Sequence, residues 1–479
     1  MTESARLRPW LKISYGLGST AEAAAITGTI SFLMLYYNQV RGLPAGHVST
    51  ALSVGFFVNA LFDPLVGSWS DRTRTRLGRR HPFMIAAILP AAFLFWAVFN
   101  PPEWGELGEL MWLGVSYTML LQVMSLYHTP HLALGGEMSR DYLERTSIMN
   151  YNTVCLWLGD TLAWVLSFRW FFRSTPGVPN GTLDPARWPG FSLFFGILIC
   201  ALLSYSSWST VRVINQLPPP GEANARFSLR EWVADMGRAL RNRNYTVLLI
   251  GLFFLSLMGG VRGGLSLYTL SYYWGLSSDQ LGLLPIGSFI GYAAGATVVK
   301  RLHARYDKRL TGGGAVALNA IGPAIPPLLG WLGVIDAKTA GILWIVIGFG
   351  ALGHIAYSLM TTTLYSVLAD IADENELRFG MRQEGVLYST RTFFSRVDQA
   401  LGTALAGWVL MLIAFPAKAV PGQVPDAALH GLVAATVIST IPGLIAAVCY
   451  GLIRVTRDSY NTTKAALSAR RQELAADAI

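Results

Sequence analysis

Charge is scarce in this sequence. Asp, Glu, Lys and Arg make up 14% of its 479 residues, against about 25% in soluble domains. Cysteine is scarcer still. Cys155, Cys200 and Cys449 each sit inside an apolar run, without the spacing of a zinc site or a disulfide framework. There is no zinc-hydrolase motif, nucleophile elbow or phosphate loop, so the chain is read as neither an enzyme nor a protein with a resident cofactor or metal. The net charge of +9 is spread over short loops between apolar runs, which argues against a nucleic-acid partner. The opening MTESARLRPWLK lacks the apolar core of a cleaved leader, so the first long apolar segment is expected to stay as a helix.

What remains is apolar surface. Hydrophobic residues make up 52%, mean hydropathy is +0.41, and there are 48 glycines and 15 tryptophans. A bilayer core takes about 20 apolar residues per helix. Twelve such stretches lie near 10–38, 46–70, 82–99, 107–135, 146–172, 189–213, 245–274, 279–300, 310–334, 338–371, 383–415 and 428–455. The turns at 71–80 and 300–309 are strongly basic, whereas those at 100–106 and 275–280 have no Lys or Arg. The positive-inside rule then puts both termini and the central linker in the cytoplasm, with the chain integral to the plasma membrane, or the inner membrane in a bacterium. Residues 1–214 form a first six-helix half and 245–455 a second. Residues 215–244 are a cytoplasmic linker and 456–479 a cytoplasmic tail. NQLPPPGEANAR at 215–226 marks the linker, and Ser228 to Glu231 reads as a capping box opening an amphipathic surface helix, with Phe227 and Trp232 placed to staple its entry. Asn180-Gly181-Thr182 matches a glycosylation acceptor, a pattern of low specificity. A basic turn after span 2 recurs after span 8, as in transporters built from repeated halves.

Asp63 interrupts the second apolar run, and arginines 72, 74, 76, 79 and 80 follow it. An acid at that depth costs roughly 2.5–3.5 kcal/mol on the insertion scale, so it is expected to face a cavity or a partner. Gly67-x-x-x-Asp71-Arg72 followed by Gly78-Arg79-Arg80 resembles the loop between spans 2 and 3 of the major facilitator superfamily. Its lengthened form after Asp63-Pro64 is similar to that of the glycoside–pentoside–hexuronide:cation symporters, which include the melibiose permease. Tyr15-Gly-Leu-Gly18, Asp141-x-x-Glu144-Arg145, Ala369-Asp370-x-x-Asp373 and Gly380-x-Arg382-x-Glu384-Gly385 with Tyr388 extend the likeness over residues 11–400. The resemblance implies an all-α membrane protein of the major facilitator fold, working as a monomer by alternating access. It also implies symport of a sugar or glycoside with H⁺ or Na⁺, the runner-up being a lysolipid or other amphiphile. In that family two span-2 acids one turn apart form the cation site. Here those positions hold Asn59 and Asp63, with Ser125 from span 4, and a single carboxylate leans towards a proton. The family's sugar-binding polar positions fall on Ala23 beside Glu22, on His128 and near Thr153, so the galactoside contacts are not retained. Asp71, Arg72, Arg79 and Arg80 carry the family's gating loop. Its span-11 lysine corresponds to Arg396, which either neutralises a cation-free Asp63 or pairs permanently with Asp398.

Other polar residues in apolar runs are further candidates. Glu22 and His128 read as substrate or proton contacts, or as satisfied packing. His131 lies three residues from His128, hence near the same face. Asp160 between Trp157 and Trp164 would suit a sugar ring, although tryptophans in membrane helices also serve packing. The glycines flanking Arg262, at 259, 260, 263 and 264, suit either close packing or a hinge that turns Arg262 towards substrate. Tyr268, Tyr272 and Tyr273 follow as substrate or gate residues. A channel is set aside because nothing resembles a filter.

Overall fold

A computed structural model describes residues 7–139, 141–212, 229–379 and 384–476. The proline-rich linker at 215–226, Phe227, Ser228 and Arg382 lie outside the described residues.

The chain is helical almost throughout. Its helices are α1 (Pro9–Leu35), α2 (Ala45–Arg72), α3 (His81–Val98), α4 (Gly105–Glu137), α5 (Tyr142–Leu166), α6 (Trp188–Thr210), α7 (Leu229–Ala239), α8 (Arg243–Tyr268), α9 (Ser278–Leu281), α10 (Pro285–Arg305), α11 (Lys308–Ile321), α12 (Ile325–Trp331), α13 (Ile342–Phe379), α14 (Glu384–Leu412), α15 (Asp426–Ile438), α16 (Thr440–Leu452) and α17 (Arg457–Ala476). Wider π-type turns extend α1 through Tyr36–Arg41, α5 through Ser167–Phe171 and α8 through Thr269–Tyr273. Among the described residues, nine helical segments are long and apolar enough to cross a bilayer. The other long transmembrane candidates, α1, α5 and α14, carry Glu22, Asp160, and Arg396 with Asp398. Leu89, Phe93, Ile197, Phe289 and Val448 are exposed. Large side chains of this kind, spread over helix after helix, make the apolar surface that a bilayer covers.

Local chemistry sets the helix ends. Asp141 caps α5 by accepting from the Glu144 amide at 2.7 Å, which explains one of the sequence motifs as a helix start. Ser277 and Gln280 form a reciprocal capping box before α9. Prolines break the later spans. Pro323 has no N–H for the Asn319 carbonyl, and a tight turn there separates α11 from α12.

Two compact units partition the chain. The first comprises Met1–Phe227 with Ser266–Pro285 and Thr403–Pro425. Its core is a cluster of rings in which Phe32, Phe95, Phe99, Phe168, Phe172, Trp188 and Phe191 are all buried. Phe99 stacks on Trp188 with centroids 5.5 Å apart, and pairs of this kind contribute about 0.5–1.5 kcal/mol beyond area burial. The arginine hairpin closes one end. Arg80 meets Asp71 at 2.6 Å and Glu137 at 2.7 Å, and Arg79 meets Glu137 at 2.9 Å. The hairpin thereby ties the ends of α2, α3 and α4. At the opposite, Lys/Arg-poor end, Asn180 is buried and accepts from Ser278 Oγ at 3.1 Å and Thr182 Oγ1 at 2.6 Å. The potential acceptor asparagine is thus a packed hydrogen-bonding residue.

The second unit comprises Ser228–Leu265, Ile286–Gly402 and Asp426–Ile479, around Leu248, Val316, Leu368, Ala446 and Tyr450. Within it α8 and α14 cross at glycine. A Cβ on Gly402 would stand 2.8 Å from Gly260 Cα and 3.3 Å from the carbonyl oxygens of Ser256 and Leu257. Both helices pass from one unit to the other within six residues of this crossing.

Candidate functional site

The site begins with how α1 and α5 approach each other. Gly159 lies against the Thr20 backbone, and Gly16 against Cys155 and the Tyr151 carbonyl. Small residues at both crossings let the backbones come close. This brings Thr27 of α1 to Asp160 of α5, where the threonine hydroxyl donates to the carboxylate. Thr153, Trp157 and Asp160 recur at helical spacing and all three are exposed. They form an open polar and aromatic face of the first unit.

Behind that face lies a charged core. Glu22 is 3% exposed, and its Oε2 is 2.7 Å from His128 Nδ1. Its other oxygen is 3.6 Å from His131 Nδ1. The two histidines differ sharply, His128 being 46% exposed and His131 1%. His131 is fixed by Tyr15. Its Nε2 is 3.0 Å from the Tyr15 carbonyl, the tyrosine hydroxyl donates back to the His131 carbonyl at 3.0 Å, and the rings stack 4.2 Å apart. Gly18 leaves room for this arrangement, since a Cβ there would meet His131 Nε2 and Ser206 Oγ, each at 2.8 Å.

One turn before His128 on α4, Ser125 joins Asn59 and Asp63. Its hydroxyl lies 2.9 Å from Asn59 Oδ1 and also contacts Asp63 Oδ1, and Asn59 Nδ2 reaches Asp63 Oδ1 at 3.5 Å. Asn59 and Ser125 are buried, while Asp63 is partly open. A serine hydroxyl has one hydrogen but here faces two acceptor oxygens. A proton on Asp63 or a small cation among the three oxygens would complete the set.

The remaining candidates stand apart from this core. Tyr268 is fully buried, and its hydroxyl donates to Asn38 Oδ1 at 2.9 Å. Asn38 lies 16 residues beyond Glu22, about 24 Å along α1 at 1.5 Å per residue, too far for one small solute to bridge. Tyr272 donates to Gln39 Oε1 at 2.9 Å, which also accepts from the Ala419 amide at 2.9 Å, while Gln39 Nε2 donates to the Pro416 carbonyl at 3.1 Å. These bonds lace the far ends of α8 and α14 to α1. Asn38 and Gln39 were not anticipated as functional. The signal was a polar pair closing an apolar span after two tyrosines.

Arg262 faces α11, α15 and α16. Its guanidinium donates to the carbonyls of Asn319 at 3.1 Å and Ala320 at 2.5 Å, to Thr440 Oγ1 at 2.8 Å and to Ser439 Oγ at 3.2 Å. It occupies the proline break after α11 and the step between α15 and α16, with two bonds to backbone carbonyls and two to hydroxyls. Neither Asp398 oxygen accepts a hydrogen bond among the described residues, though the side chain is buried. Arg72 and Arg396 have partners of their own. Among the described residues no three His, Cys, Asp or Glu gather as metal ligands.

Helices of this length and order, several of them carrying buried ionisable groups, give the fold of the major facilitator type. The chain belongs to the family described as MFS/sugar transport protein, whose model matches residues 14–457. It is a membrane transporter and not an enzyme. Among curated relatives, the inner membrane symporter YicJ of Escherichia coli K12 is 25% identical over 83% of this chain and 82% of its own length. The putative glycoside/cation symporter YagG of the same organism is 25% identical over 85% and 84%. The lactose permease of Lactobacillus delbrueckii subsp. bulgaricus is 24% identical over 78% of this chain and 56% of its own. Among solved structures, a bacterial homologue of the human lysosomal transporter Spinster superposes with a TM-score of 0.64 at 14% identity, covering 93% and 97% of the two chains.

Proposed function

We propose that this protein is a cation-coupled symporter of a sugar or glycoside, working by alternating access in the inner membrane with both termini cytoplasmic. The observation that carries the reading is the Asp63–Asn59–Ser125 cluster. It is a partly open carboxylate on a membrane helix, held by an amide one turn away and a hydroxyl from α4. One negative charge among three oxygens suits H⁺ or Na⁺. The sugar would lie against Trp157, Asp160, His128 and Glu22, where an aromatic face and hydrogen-bonding side chains are exposed together or sit just behind. Coupling follows if a bare Asp63 hinders the change of side while a loaded one permits it. Arg396 would contribute to coupling, and Asp71, Arg72, Arg79 and Arg80 would brace the cytoplasmic end. Tyr268, with Asn38 and Gln39, would latch the exterior end. Arg262 would brace the second half instead of touching substrate. The names of the relatives favour a glycoside over an amphiphile. A monomer suffices, since each element named here belongs to one chain.

The test is uptake into proteoliposomes of p-nitrophenyl glycosides and of lysophosphatidylcholine, each under an imposed H⁺ or Na⁺ gradient. Uphill accumulation of a glycoside under one of the two gradients is expected. Accumulation of the lysolipid alone, or of nothing under either gradient, refutes the reading.

A further inference from the structure

The first unit treats its buried acids in two ways. Glu109 is bound by Arg41 at 2.6 Å, Glu137 by Arg79 and Arg80, and Glu144 by Lys12 at 2.8 Å. Each of those carboxylates is paired with a lysine or an arginine. Glu22, the most deeply buried of the set at 3% exposure, is instead held by imidazoles, whose charge depends on a proton. A carboxylate inside the membrane at such a place is neutral only when a proton is shared with its partners. We propose that Glu22 is a proton-carrying carboxylate, loaded and unloaded through His128, at a site distinct from the Asp63 cluster. The proposal rests on the coupled-symport reading above and adds a second titrating group to it.

The geometry gives the route. His128 is half-exposed while its Nδ1 faces Glu22 Oε2 at 2.7 Å. A proton taken up from water at Nε2 lets Nδ1 pass its own proton to Oε2. The ring ends neutral, with its proton on Nε2, and the carboxylate ends as the acid. The reverse sequence returns the proton, and nothing else is consumed. His131, 1% exposed, closes the far side of the carboxylate at 3.6 Å and is clamped by Tyr15, so the way in and out is by His128.

Of the other ionisable groups of the packed helices, Tyr15 of α1 and Tyr127 of α4 also face Glu22, whereas Cys155 of α5 gives its carbonyl to Thr20 and Asp160 of α5 is held by Thr27. Asp63 of α2 is bound through Ser125, three residues before His128 on the same helix face. That spacing lets the state of one site influence the other through a single turn of α4. It also puts the proton beside the face proposed for the sugar, where a bound hydroxyl would cut His128 off from water.

The test needs no substrate. Infrared difference spectra of the purified full-length protein between acid and alkaline pH should contain a carboxylic-acid carbonyl band that disappears in Glu22→Gln and persists in Asp63→Asn. In His128→Gln the band should remain, but its rise after a pH jump should slow about a hundredfold, the low end of what a positioned proton-transfer group contributes. A difference spectrum of Glu22→Gln identical to wild type overturns the proposal, as does a His128→Gln band that rises as fast as wild type. Should Glu22→Gln fail to fold, the His128→Gln kinetics still decide. Failure of the glycoside reading shows separately, as wild-type protein that accumulates no sugar whatever its spectrum.

Discussion

Replacing Asp63 by asparagine keeps the shape of the side chain and removes its charge, so it isolates what that charge does. Ser125 can still donate to the new amide oxygen, and Asn59 remains one turn away, which leaves the packing of α2 on α4 intact. What is lost is the one carboxylate among three oxygens, and with it one coupled positive charge per sugar. Moving one elementary charge through a membrane potential is worth about 2.3 kcal/mol per 100 mV. At about 1.4 kcal/mol per tenfold, this supports roughly fifty-fold accumulation for each coupled charge. Proteoliposomes held at a 100 mV potassium-diffusion potential, interior negative, with a labelled glycoside at equal starting concentration on both sides, measure the factor directly. The plateau ratio of Asp63→Asn should fall about fifty-fold below wild type, whatever contribution Glu22 makes. A variant that reaches the wild-type plateau removes Asp63 from coupling and refutes the reasoning.

Gly402→Ala would put a methyl 2.8 Å from Gly260 Cα and close to two carbonyl oxygens, none of which is a flexible side-chain tip. Overpacking at such a site costs about 1–3 kcal/mol. Thermal unfolding in detergent should show the loss, and unchanged stability with unchanged transport would mean that the crossing is loose. Arg262→Ala should lower the unfolding temperature, since charged hydrogen bonds contribute about 1.5–3 kcal/mol each and Arg262 makes four; a normal melting curve with weakened sugar binding would return it to the substrate site. Gln39→Ala removes the acceptor of Tyr272 and of the Ala419 amide. A cysteine introduced at Ala419 should then react with a soluble maleimide several-fold faster, and equal rates would show that the latch lies elsewhere.

The spans, Asp63 and the arginine hairpin could be read from the sequence because each is a local pattern: a run of apolar residues, its interruption by an acid, a cluster of charges. Asn59 was set beside Asp63 by family likeness. Ser125 came from family likeness and not from periodicity. Glu22, His128 and His131 were each noticed, yet nothing local says that they meet, because the meeting depends on Gly18 leaving room for α4 side chains against α1. Arg262 stayed open for a similar reason. Glycines on both sides suited either packing or a hinge, and its hydrogen bonds go to carbonyls beside a proline 61 residues later and to hydroxyls at 439 and 440. The Gln39 latch joins residues more than 230 positions apart, and no one-dimensional pattern carries such a contact.

The buried Asn180 bears on where this protein should be made. A yeast or insect-cell host that attached a glycan there during synthesis would leave the loop unable to seat on Ser278, and the preparation would divide into seated and unseated copies. Thr182→Val abolishes the acceptor pattern at the loss of a single hydroxyl contact, and offers a homogeneous sample where bacterial expression fails.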